Sequence, residues 1–104
     1  IEDIIKIKDN ESHTILMYAS IMDYIKVVKF LLENRANIHD KEYMGNTALI
    51  LAIESYRNEI SKLLVDNGAD IHYRDEGGYN AIENANACGN EDLVNYFNNK
   101  LVNP

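Results

Sequence analysis

At 104 residues the chain is long enough for one buried core and too short for two. A formal charge of −7 gives it a surface that repels phosphate, which argues against sequence-independent nucleic-acid binding. The single cysteine, Cys88, cannot form an internal disulfide, and runs such as Leu49 to Ile53 are far too short to cross a bilayer.

The elements recur along the chain. Ile5 stands 33 residues before Ile38, so Ile5 to Asp9 reads as the loop tail of a preceding unit. Thr14-Ile15-Leu16-Met17-Tyr18-Ala19 then opens a first helix, with the Thr14 hydroxyl placed to accept from a free N–H at the helix start. Tyr24, Val27, Val28, Leu31 and Leu32 follow at i, i+3, i+4, i+7 and i+8, an apolar stripe of helical period. The exposed lysines Lys26 and Lys29 mark a solvated face. Arg35 closes this second helix.

The same order returns twice at a step of 33, without a gap. Glu42-Tyr43-Met44-Gly45 is a turn, Thr47-Ala48-Leu49-Ile50-Leu51-Ala52 a short helix, and Asn58 and Glu59 open a helix carrying Ile60, Leu63 and Leu64. Gly68 follows Asn67 where a helix ends at positive φ. Asp75-Glu76-Gly77-Gly78 is the next turn, and Asn80 with Glu83 forms a capping box ahead of Ala85. Glu91-Asp92 starts the last helix, whose apolar positions are Leu93, Val94, Tyr96 and Phe97. Ala19, Ala52 and Ala85, three residues after Leu16, Leu49 and Ile82, leave room for a neighbouring helix to come close. Met17 and Ile50 are expected in the core, and Tyr18, Tyr24, Tyr56 and Tyr96 are expected to pack or half-bury.

Asp75-Glu76-Gly77-Gly78-Tyr79-Asn80 and Asp66-Asn67-Gly68-Ala69-Asp70-Ile71-His72 resemble the ankyrin repeat pattern, and the likeness covers nearly the whole chain. The family's Pro is replaced by Ile15, Ala48 and Ala81, and its His by Met17, Ile50 and Glu83, so its Thr–His hydrogen bond is absent. The resemblance implies an all-α solenoid of stacked helix-turn-helix units with hairpin loops. Residues 1–8 are then the tail of a preceding repeat or a cap, and 9–41, 42–74 and 75–104 are repeats 1, 2 and 3. Val102, Asn103 and Pro104 align with Ala69, Asp70 and Ile71, a repeat boundary. These limits lead us to expect a segment of a longer array or larger protein.

Such repeats imply a protein-interaction module that grips another protein through its hairpin tips and concave helix face. Mapped onto this chain, the contact residues are Glu11, His13, Ile21, Met22, Tyr43, Met44, Asn46, Glu54, Glu76 and Tyr79. A patch centred on Tyr43, Met44 and Tyr79, flanked by Ile21 and Met22 and rimmed by Glu11, Glu54 and Glu76, has the aromatic and apolar anchors typical of interfaces. The alternative is a regulatory or targeting domain of a larger enzyme whose catalytic part lies elsewhere. Catalysis within these residues is not expected: no phosphate loop, zinc-finger spacing or nucleophile elbow is present, His13, His39 and His72 stand far apart, and Cys88 has no base in its own repeat. No cofactor, metal, nucleic acid or membrane insertion is expected, and the domain is expected to be a monomer in the cytoplasm.

Overall fold

A computed structural model describes residues 2–102. It holds seven helices: α1 (Glu2–Ile5), α2 (Ile15–Ile21), α3 (Ile25–Glu33), α4 (Ala48–Glu54), α5 (Asn58–Asp66), α6 (Ala81–Ala87) and α7 (Glu91–Val102). No strand forms among the described residues, only an isolated bridge between Lys8 and Thr14. The helices pair as α2 with α3, α4 with α5, and α6 with α7. The short first helices α2, α4 and α6 lie in one row with α4 central, and α3, α5 and α7 form a second row. The molecule measures 37 × 26 × 21 Å.

Each first helix begins at the predicted cap. The side chains of Thr14, Thr47 and Asn80 accept from the N–H of Met17, Ile50 and Glu83. In α6 the Glu83 carboxylate returns the bond to the Asn80 N–H, completing the capping box, and in α2 the Met17 sulfur takes that role. The turn within each pair puts Asp23, Tyr56 and Gly89 at positive φ (64°, 59° and 69°), a region that costs a bulky side chain more than glycine. The Tyr56 hydroxyl donates to the Cys88 carbonyl at 2.7 Å, which helps hold that turn and ties the second pair to the third.

The core runs along the interfaces between pairs. Leu16, Leu49, Ile53, Ile60, Leu64, Leu93 and Phe97 are buried, as are Met17 and Ile50. Alanines 19, 52 and 85 are buried in the first-helix row, where a methyl group is all the spacing admits. Polar latches join the layers in place of the family's Thr–His bond: Arg57 Nε donates to the Ile21 carbonyl at 2.8 Å, and Asn58 and Asn90 exchange side-chain bonds of 2.7 and 3.3 Å. Among the described residues no buried side-chain polar atom lacks a partner, so burial of these groups leaves no desolvation cost unmet.

Four expectations need correction. Ile5, expected to begin the loop tail, instead ends the helical turn Glu2–Ile5, and it is buried like its counterpart Ile38; Ile1 lies outside the described residues. Val102 is helical, because α7 runs to twelve residues where α3 and α5 have nine. Leu101 occupies the position of Gly68 (φ +100°), so nothing there reverses the chain; Asn103 and Pro104 lie outside the described residues. Tyr24 and Val27 are exposed, and only Val28 and Leu31 of the predicted α3 stripe are fully buried, with Leu32 half-buried. Tyr18 and Tyr56 are exposed as well; Tyr96 alone of the four tyrosines is half-buried.

Candidate functional site

The three hairpin tips are built alike. Asp9, Glu42 and Asp75 each donate their backbone N–H across the tip, to the carbonyls of His13, Asn46 and Tyr79, all at 3.0 Å. Their carboxylates then organise the turn from inside. Asp9 Oδ1 accepts from the N–H of Glu11 and His13, Glu42 Oε1 from Met44 and Asn46, and Asp75 Oδ1 from Tyr79, all at 2.8–2.9 Å. The sequence reading did not single out these three acids as tip-formers. Their common spacing of 33 was the available signal.

The tips also touch one another. The Tyr43 N–H donates to the Glu11 carbonyl at 2.8 Å, joining the first tip to the second. Tyr73 Oη donates to the Gly45 carbonyl at 2.5 Å, and the Glu76 side chain lies so close over Gly45 that a Cβ there would stand 2.9 Å from Glu76 Cγ. A row of three braced tips results. His13, half-buried, sits between the first two: its Nδ1 is 3.3 Å from the Asp9 carboxylate and its Nε2 3.6 Å from Glu42 Oε2. The His13 ring also meets Tyr18 and Tyr43 at centroid distances of 5.4 and 6.2 Å.

Tyr43, Met44 and Tyr79 project from this row with 58%, 50% and 52% of their surface exposed. Because the backbone beneath them is fixed by the tip carboxylates, a partner meets these side chains without having to order the loop. Glu11 and Glu76 are exposed beside them. Glu54, at the end of α4, is exposed and lies near Asp75 and Glu42. Asn46 is half-buried with its N–H and carbonyl committed to the hairpin, and Ile21 is half-buried with its carbonyl taken by Arg57. Met22 shares a groove with Ile15, Tyr18, Ala19, Tyr24 and Val27.

Partial burial, then the charges of Asp75 and Glu42, push the Glu54 carboxyl above its ordinary 4.5. Glu54 therefore holds its proton more tightly in the folded chain than in the unfolded one, and folding gains as pH falls through that range. Glu54→Gln should be more stable than the native chain at pH 7 and lose that advantage below about pH 4.5. Urea midpoints at pH 7 and pH 4 check this; an equal difference at both would rule out the charge as the cause. Asp9 moves the other way: the Tyr18 hydroxyl donates to it and lowers its carboxyl to about 2. Cys88 is half-buried, and burial followed by the charge of Glu54 raises its thiol, which keeps it protonated.

The repeated helix pairs, the braced tips and the row of close-packed alanines find their match among known sequences. The family described as Ankyrin repeats (3 copies) matches residues 35–103, and a single Ankyrin repeat matches residues 12–43. The chain belongs to the ankyrin repeat family. It is 35% identical over 75 residues to protein phosphatase 1 regulatory subunit 27 of Homo sapiens, covering 72% of this chain and 49% of that protein. It is 34% identical over 71 residues to an ankyrin repeat protein of Rickettsia bellii (strain RML369-C), covering 68% and 42%. It is 32% identical over 87 residues to the ankyrin repeat and KH domain-containing protein mask-1 of Caenorhabditis elegans, covering 83% of this chain and 3% of that protein. The chain thus spans less than half the length of each of these relatives. Ankyrin repeats are protein-interaction modules. No helix among the described residues is long and apolar enough to cross a membrane.

Proposed function

We propose that this domain binds another protein through its hairpin tips and inner helix face, as a monomer in the cytoplasm and without catalysing a reaction. The observation that carries this reading is the exposure of Tyr43, Met44 and Tyr79 on tips whose backbone is already locked by Asp9, Glu42 and Asp75. Large apolar and aromatic side chains on a pre-ordered surface are the usual anchors of an interface. The contact residues are Glu11, His13, Ile21, Met22, Tyr43, Met44, Asn46, Glu54, Glu76 and Tyr79. Glu11, Glu54 and Glu76 around the anchors favour a partner that carries Lys or Arg beside an apolar segment.

The test is a pull-down with the native domain and with Tyr43→Ala/Tyr79→Ala. Two anchors of this kind together are worth roughly 2 kcal/mol or more, so capture should fall by about thirtyfold. The circular dichroism spectrum should stay unchanged, because both side chains are exposed. Equal capture by the two proteins would place the contact elsewhere. A second reading is favoured by the likeness to a phosphatase regulatory subunit: the domain regulates or targets an enzyme whose catalytic part lies outside these residues. Co-purification of a catalytic polypeptide that the double tyrosine variant releases would select it.

A further inference from the structure

The second helices α3, α5 and α7 lie side by side, so the two seams between them can be compared position by position at the repeat spacing of 33. The seam between α5 and α7 is filled by Tyr96, which is half-buried there. Its hydroxyl donates to the Asp66 carboxylate on α5. Two ammonium groups approach its ring, Lys62 Nζ at 5.5 Å and Lys100 Nζ at 5.4 Å from the centroid. The bond from Tyr96, followed by that from Lys100, holds the Asp66 carboxyl below its ordinary 3.8. A phenol and a carboxylate therefore stabilise one another in this seam.

The seam between α3 and α5 has the same plan with the tyrosine left out. Lys29 stands for Lys62, Leu32 for Val65, Glu33 for Asp66, Leu63 for Tyr96 and Asn67 for Lys100. These five residues line an open groove of about 270 Å³. Leucine lacks the outer part of the ring and the hydroxyl, and asparagine is shorter than lysine, so both replacements withdraw bulk. Nothing restores a donor to Glu33. Lys62 pairs with Asp92 and Asp66 with Lys100, both at 3.0 Å, whereas among the described residues Lys29 and Glu33 form no ion pair.

We propose that this groove is a binding site for a tyrosine side chain of a partner polypeptide, with the ring over Leu63 beside Lys29 and the hydroxyl donating to the Glu33 carboxylate. The neighbouring seam names the occupant, because its five matching positions already hold one. The charges at the rim exclude the alternatives: Lys29 repels a basic side chain, Glu33 repels an acidic one, and a phenylalanine would leave Glu33 without a donor. The groove belongs to the second-helix row and not to the hairpin tips, so it is a further contact that stands whether or not the tips bind.

Amide NMR of the 104-residue chain with N-acetyltyrosinamide and N-acetylphenylalaninamide as probes tests this. The tyrosine amide should shift the signals of Glu33, Leu63 and Asn67, saturating in the millimolar range that the contacts of one side chain give. It should bind about fivefold tighter than the phenylalanine amide, the worth of one hydrogen bond at an open rim. Glu33→Ala should erase that preference and keep the fold, since Glu33 is exposed. Leu63→Tyr should fill the groove from within, as Tyr96 does, and abolish binding of both amides. Should that variant not fold, the Glu33→Ala comparison decides by itself. Equal binding of the two amides by the native chain, an undiminished preference in Glu33→Ala, or undiminished binding in folded Leu63→Tyr overturns the proposal.

Discussion

Phe97→Ala should destabilise the domain by about 3–5 kcal/mol, the range for emptying a buried aromatic site. Phe97 is fully buried in α7, which packs on both α5 and α6, and its ring meets Tyr96 edge-on at a centroid distance of 5.9 Å. A domain of this size is stable by roughly 5–15 kcal/mol, so the loss takes a large share of the total. The thermal midpoint should fall by roughly 15 °C or more at 4–8 °C per kcal/mol. Leu31 and Leu64 hold the equivalent positions in the other pairs and are buried too. Phe97→Leu should therefore cost less than about 1.5 kcal/mol, as volume-tolerant swaps do. Chemical denaturation of the two variants checks this. A loss below 1 kcal/mol for the alanine variant would mean that α7 contributes little to the cooperative unit.

Ala52→Leu should act by the opposite fault, adding bulk where there is none to spare. Ala52 is 0% exposed in α4, which lies between α2 and α6 with Ala19 and Ala85 at the matching places. Three further carbons must push the layers apart or force a strained rotamer, at a cost of about 1–3 kcal/mol. The strain falls on both interfaces of the middle pair, so it should reach the top of that range. Ala87→Leu is the control: Ala87 ends α6 and is exposed, and a change there should stay within about 0.5 kcal/mol. If both variants unfold at the same urea concentration as the native chain, the first-helix row is looser than its alanines indicate.

The placement of the helix pairs was legible in the residues because the signals are local. Thr14, Thr47 and Asn80 mark helix starts through a bond three residues long, and apolar residues at i, i+3 and i+4 mark the buried face whatever lies opposite. Hairpin tips were legible for the same reason, from Gly45 and Gly78. Where a local stop is missing the reading failed: Leu101 replaces a glycine, and α7 ran on past the expected boundary.

Burial was less legible, because periodicity states which residues share a face and not whether anything covers it. Tyr24 and Val27 lie on the predicted stripe, yet they stand open because, among the described residues, no layer covers the side of the first pair that faces away from the second. The likeness of Asp9, Glu42 and Asp75 was present in the spacing, but their work inside the tips depends on backbone N–H groups that only the closed hairpin turns toward them. The repeat, its period and its helix pairs were thus determined by the sequence alone, since short-range hydrogen bonds and side-chain spacing suffice for them. The bracing of one tip by the next, the polar latches between layers and the unequal ends of the stack were decided by the tertiary structure, since each depends on residues some thirty positions apart being brought side by side.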